Sequence, residues 1–207
     1  MKKNIIANSL ILLAGIFVGC STHSSEQQHA SADSEKAQTV NYPLTEQPVK
    51  TIVDFLKWYR DHQDVQGPMV NNSTNETFDS TKFYSVDFEA TEKYLKALTT
   101  SGFISDVYVA KWRRHFKKLD DNFRKNPSNE GPPDGFDYDL VMLSQEYDED
   151  LKNVEKSTVA SQTVSGDRAV IKMNFTNGGK LTYTLSKQSS GTWLIDDIEA
   201  ENLPLEE

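Results

Sequence analysis

The stretch Arg168-Ala-Val-Ile-Lys-Met-Asn-Phe-Thr-Asn-Gly-Gly-Lys-Leu-Thr-Tyr-Thr-Leu-Ser-Lys187 decides the fold. Ala169, Ile171, Met173 and Phe175 fall on every second position, and Leu181, Tyr183 and Leu185 repeat the pattern. A period of two puts these side chains on one face of an extended chain. Asn177-Gly178-Gly179 between the two runs supplies residues that tolerate the positive φ of a tight hairpin. The reading is two antiparallel strands with one face to be covered. Outward from this hairpin, Val159 to Val164 is a weaker strand. After the turn Ser189-Ser190-Gly191, a last strand runs from Thr192 to Glu199. There, strict alternation predicts Trp193 and Ile195 on one face, opposite Leu194, Asp196 and Ile198. The result is an antiparallel meander with one face needing a second layer.

The first half of the chain supplies that layer. Ile52, Leu56 and Tyr59 share a helical face over Pro48 to His62, flanked by Val49, Val53 and Phe55, with Thr45 as the expected N-cap. A polar loop, Gln63 to Lys82, follows. A second helix is expected after Asp87, with Thr91, Tyr94, Leu95 and Leu98 as its inner stripe, ending at Gly102. The third has the strongest helical signal. Tyr108, Trp112, Phe116, Leu119 and Phe123 recur at spacings of four, four, three and four, from Ser105 to the stop at Asn126-Pro127. Helices first and strands afterwards predict an α+β fold, with the N-terminal helices on one face of a curved antiparallel sheet. Trp112 and Phe116 are expected against the sheet face holding Ile171, Met173, Leu181 and Tyr183.

The 207 residues carry 22 basic against 31 acidic side chains, a net charge of −9. Mean hydropathy is −0.60. This charge argues against nucleic acid as a partner, since phosphate contacts need a dominant basic surface. A single cysteine excludes an internal disulfide. Residues 1–19 read as a secretory signal: basic Lys2 and Lys3, then an apolar run from Ile5 to Val18. Fourteen helical residues reach only about 21 Å, short of a hydrocarbon core about 30 Å thick. Gly19-Cys20 at its end resembles a bacterial lipobox, with Phe17 where leucine is usual. That resemblance implies lipidation of Cys20 and a membrane anchor. Ser21, rather than aspartate, after the cysteine implies the outer membrane, facing the periplasm, by similarity to enterobacterial sorting signals. Residues 20–46 are expected to form the lipidated cysteine and a flexible tether. Residues 47–203 are expected to form one domain, and 204–207 a short C-terminal tail.

A helix such as Val49-Lys-Thr-Ile-Val-Asp-Phe-Leu-Lys-Trp-Tyr59 opens the domain, and Gly191-Thr-Trp-Leu-Ile-Asp-Asp-Ile198 closes it. Between them lie Ser101-Gly-Phe-Ile-Ser-Asp-Val-Tyr108 and Gly131-Pro-Pro-Asp-Gly-Phe-Asp-Tyr-Asp139. Together these resemble the envelope-lipoprotein domains of the YbjP-like kind. That family is similar to the cystatin-like cone fold shared with nuclear transport factor and ketosteroid isomerase. The resemblance spans about residues 47 to 202 and implies a fold more than an activity.

No nucleophile elbow, P-loop, dinucleotide loop or metal-ligand motif is present, so no catalytic residue, metal or cofactor is expected. Asp134, Asp137 and Asp139 lie in a Gly/Pro-rich turn without the order of a calcium loop. Asp61-His62-Gln63-Asp64 reads as a polar helix end. Lys111, Arg113, Arg114, His115, Lys117 and Lys118 surround the apolar stripe of the third helix. Arg113, Arg114, Lys117 and Lys118 form a candidate surface for an anionic headgroup or an envelope protein; the plain alternative is a solvated face. Lys172, Thr182 and Thr184 on the outer sheet face are a second choice. The leading expectation is a non-enzymatic, membrane-anchored binding or accessory module of the bacterial envelope. One alternative is a small-molecule-binding or lyase/isomerase-like cone, with Tyr59, Trp112, Asp137 and Asp196 in its pocket. It predicts a cavity of about 300 Å³ or more around a carboxylate of raised pKa. A further alternative is an immunity-type protein.

Overall fold

A computed structural model describes residues 42–67, 69–71 and 83–201. The expected signal peptide, Cys20, the tether up to residue 41 and the tail 204–207 lie outside the described residues. The fold is α+β. Its helices are α1 (Val49–Asp61), α2 (Phe88–Thr100), α3 (Asp106–Lys125) and α4 (Asp148–Lys152). Two short strands, β1 (Val70–Asn71) and β2 (Ser85–Val86), pair antiparallel. Four longer strands, β3 (Thr158–Ser165), β4 (Arg168–Asn174), β5 (Lys180–Lys187) and β6 (Trp193–Ala200), form an antiparallel sheet in chain order.

The two periodicities become two faces of one core. Ala169, Ile171 and Met173 of β4 are buried, while Val170, Lys172 and Asn174 between them are exposed. Leu181, Tyr183 and Leu185 of β5 are buried alike. Against them lie Ile52, Phe55, Leu56 and Tyr59 of α1, the expected stripe of α2, and Tyr108, Trp112, Phe116 and Phe123 of α3. Trp112 and the four named sheet residues join one buried cluster, as the paired stripes require. A fully buried large apolar side chain stabilises by about 1.5–3 kcal/mol, so this joint burial is what selects the arrangement.

Side chains cap two of the three long helices. Asp87 accepts the Ala90 amide at 3.0 Å, and Ser105 accepts that of Tyr108 at 3.4 Å. At α1 the expected cap, Thr45, is not used; the helix begins after Pro48 without a side-chain cap, and the Thr51 hydroxyl donates to Gln47 instead. Strict alternation also fails in β6. Leu185 pairs with Ile195 but Thr184 pairs with Asp197, so Asp196 is an extra residue in a bulge. The bulge resets the phase and returns Ile198 to the buried face with Trp193 and Ile195. The short α4 lies in an acidic stretch without an apolar period.

Candidate functional site

The aperiodic segment after α3 owes its shape to one carboxylate. Asp139 Oδ1 accepts the amides of Val141 at 2.9 Å and Met142 at 2.6 Å. The Asp139 backbone closes the same loop, its amide donating to Ser144 and its carbonyl accepting from Leu143. This tight loop holds Leu143 at φ 51°, left-handed backbone that a non-glycine residue rarely adopts. Asp139 Oδ2 accepts the Tyr59 hydroxyl at 2.7 Å, tying the loop to α1 across 80 residues of chain. Asp139 is only 3% exposed.

Four tyrosines lie buried on the inner side of Asp139: Tyr59 from α1, Tyr94 from α2, Tyr108 from α3 and Tyr183 from β5. The Tyr183 hydroxyl has no hydrogen-bond partner among the described residues, while those of Tyr94 and Tyr108 face Tyr59 and Trp112. Leaving a buried hydroxyl unpaired costs about 1–3 kcal/mol, so the Tyr183 position is an expensive one. Burial, reinforced by the charge of Asp139, holds all four phenols well above the ordinary tyrosine range. Burial also raises the pKa of Asp139 itself, opposed by its hydrogen bonds from Met142, Tyr59 and Val141.

On its outer side Asp139 floors a cleft of about 700 Å³. One wall comes from the segment between α1 and β1, with Gln66, Met69 and Val70. The other comes from the loop after α3, with Pro133, Phe136, Asp137, Tyr138 and Tyr147. The walls are braced from outside. The amide of Asp87 donates to the Met69 carbonyl, Tyr84 donates its amide to Ser128 and its hydroxyl to Gly131, and Asp120 of α3 accepts the Val86 amide. Phe136 stacks on Phe116 with ring centroids 5.8 Å apart. Gly135 just before it has φ +78°, and a Cβ there would stand 2.7 Å from Leu119. Only glycine suits both the turn and the close approach to α3.

The structure separates the residues proposed for a pocket. Trp112 is core, and Tyr59 reaches the site only through its hydroxyl on Asp139. Asp137 lines the cleft at its exposed rim, accepting Gln145 Nε2 at 3.1 Å. Asp196 lies elsewhere: it is buried in the β6 bulge, bound by Arg168 at 2.9 Å and by the Ser186 hydroxyl at 2.9 Å. The carboxylate at the floor is therefore Asp139, not Asp137 or Asp196. Spacing in the Gly/Pro-rich turn marked all three aspartates equally; the one signal for Asp139 was its place directly before the apolar run Leu140 to Leu143.

The basic face of α3 is partly neutralised. Arg113 makes a two-pronged pair with Glu92 of α2, at 2.6 and 2.7 Å. Lys111 pairs with both oxygens of Asp197 on β6, at 2.7 Å. His115 stands edge-on to Trp112, and burial lowers its pKa, so it adds no charge near neutral pH. Arg114, Lys117 and Lys118 are exposed. No helix among the described residues is long and apolar enough to cross a membrane. Comparison with protein-family models, with curated proteins and with solved structures finds no match to this chain.

Proposed function

We propose that this chain is a lipid-anchored protein of the bacterial envelope whose domain binds a small molecule in the cleft over Asp139, by recognition rather than turnover. The observation that carries this reading is the meeting of a cleft of about 700 Å³ with a buried carboxylate of raised pKa. Ligand sites combine an apolar lining with a few convergent polar groups, in volumes of about 300–1,000 Å³. Binding is favoured over catalysis because both oxygens of Asp139 already hold donors: two amides on one, the Tyr59 hydroxyl on the other. A carboxylate with its lone pairs so engaged is poorly placed to take a proton from a substrate.

The anchor belongs to the same reading, supported by the lysines at the start, the short apolar run and Gly19-Cys20. So does the resemblance to YbjP-like domains, with an outer-membrane, periplasm-facing placement. A tethered binding domain gains effective concentration at the membrane without new contacts. Hydrogen exchange of the full chain in detergent, run against a panel of neutral, anionic and cationic metabolites, tests the cleft. Expected is slowed exchange at the Val141 to Ser144 amides and at Met69 to Asn71 with one class of compound. If none of the panel slows exchange there, the ligand-binding reading fails. Mass spectrometry of the mature N-terminus tests the anchor: a diacylglyceryl adduct on Cys20 is expected, and an unmodified terminus beginning elsewhere overturns it.

A further inference from the structure

We propose that the ligand of this cleft is a small organic cation, an amine or quaternary ammonium compound, held between Asp137 and the aromatic rings of Tyr138 and Tyr147. The inference rests on the reading that the cleft is the binding site. Its first support is the sign of the lining. Asp137 and Asp139 contribute to the cleft surface, and among the described residues no lysine, arginine or histidine does. The asymmetry extends beyond the lining. From Asn126 to Leu151, which supplies one wall, the chain carries eight carboxylates and no basic residue. The helix end before the other wall is mixed: Asp61 is paired with Arg60 at 3.2 Å, and Asp64 is exposed. Carboxylates of one sign gathered over low-dielectric walls focus a negative potential into the concavity.

The second support is the chemistry of the remaining lining. Phe136, Tyr138 and Tyr147 bring three aromatic rings to a site that already has carboxylates. An ammonium group gains from a ring face as well as from an anion, and the two together are how quaternary ammonium ligands are recognised. A bare metal ion fits less well. No group of three or more metal-ligating side chains occurs among the described residues, and the Asp139 oxygens already hold protein donors. An anion would meet only repulsion, and a neutral sugar would leave the charge asymmetry unused. Gln66 and Gln145 at the rim offer further oxygens to ammonium hydrogens.

The test is calorimetric titration of the full chain in detergent with choline, spermidine, sucrose and citrate. Choline and spermidine distinguish a quaternary group from a primary amine. Saturable binding is expected for at least one cation. Asp137→Asn, at an exposed position that should not disturb folding, is expected to weaken that binding about tenfold, the loss of one close charge partner. Glu89→Gln, which removes the same charge from exposed α2, is expected to leave it unchanged. Tyr138→Leu is expected to weaken choline more than spermidine. Equal weakening by Asp137→Asn and Glu89→Gln overturns the proposal, because it reports general charge attraction. Binding of sucrose or citrate, with slowed exchange at the cleft and no cation binding, overturns the cationic assignment but leaves the ligand-binding reading standing. If none of the four probes binds, the cationic assignment falls, and the wider metabolite panel decides whether the ligand-binding reading falls with it.

Discussion

In β4 every second residue is buried and the rest are exposed, and in β5 the same alternation sets buried against half-buried residues, without a break in either strand. Between Asn126 and Lys156 there is no period at all, yet Leu140, Val141, Met142, Leu151 and Val154 are as deeply buried as any strand residue. The sheet is held by ladders of backbone pairs, each repeating its neighbour. The loop segment is held by two carboxylates in place of a ladder. Asp139 gathers the Val141 and Met142 amides and the Tyr59 hydroxyl. Asp150 gathers the amides of Asn177 and Gly179 at the hairpin tip between β4 and β5. The contrast teaches that a chain without periodicity can still fold tightly when single side chains answer several backbone donors at once. It also concentrates risk: a ladder loses one rung at a time, whereas a carboxylate loses all its partners together.

The comparison can be broken from either side. Trp112→Ala, which removes the largest side chain from the helix–sheet core, is expected to cost about 3–5 kcal/mol by urea unfolding, because the cavity cannot collapse. A loss under about 1 kcal/mol would mean that the stripe is not the shared core. Asp139→Ala orphans two amides and a buried hydroxyl and is expected to cost about 3 kcal/mol. Exchange at Val141 to Ser144 should quicken far more than in β4 and β5. Uniform quickening would show that the loop has no separate organisation.

The titration of Asp139 sharpens the same point. Its folded pKa lies above the unfolded value of about 3.9, so ionisation favours the unfolded chain. Stability from this group is full below that unfolded value and is lost as pH rises through the raised folded one. Unfolding free energies across that interval should therefore fall with rising pH in the natural chain relative to Asp139→Asn, whose amide does not titrate. Parallel curves would sink the assignment.

Gly135→Ala meets both the positive φ and the close approach to Leu119, and is expected to cost about 1–3 kcal/mol. Weaker ligand protection at Phe136 and Tyr138 should accompany it, since that wall is displaced. Smallest is Arg113→Ala. Its pair with Glu92 is exposed, so the midpoint of thermal unfolding should scarcely move. A clear drop in the midpoint would give the basic face a structural role.

The residues alone dictate the part of the molecule written in periods. The stripes of α2 and α3, the hairpin at Asn177-Gly178-Gly179 and the α+β order were all legible, because one face buried and one exposed leaves a local record every two or three to four residues. Even there, one residue escaped: Asp196 enters β6 as a bulge, because its partners Arg168 and Ser186 come from neighbouring strands. The cleft lies almost wholly on the other side of that line. Three aspartates in Asp134 to Asp139 look alike in the chain, and their differing fates depend on what stands opposite each one. Asp139 meets Tyr59, 80 positions away, beside three more buried tyrosines drawn from two further helices and a strand. Asp137, two residues earlier, stays exposed at the rim of the same cleft beside Gln145. Burial and hydrogen bonding across such distances are properties of the assembled core, so only the tertiary structure decided which carboxylate became the floor of the cleft.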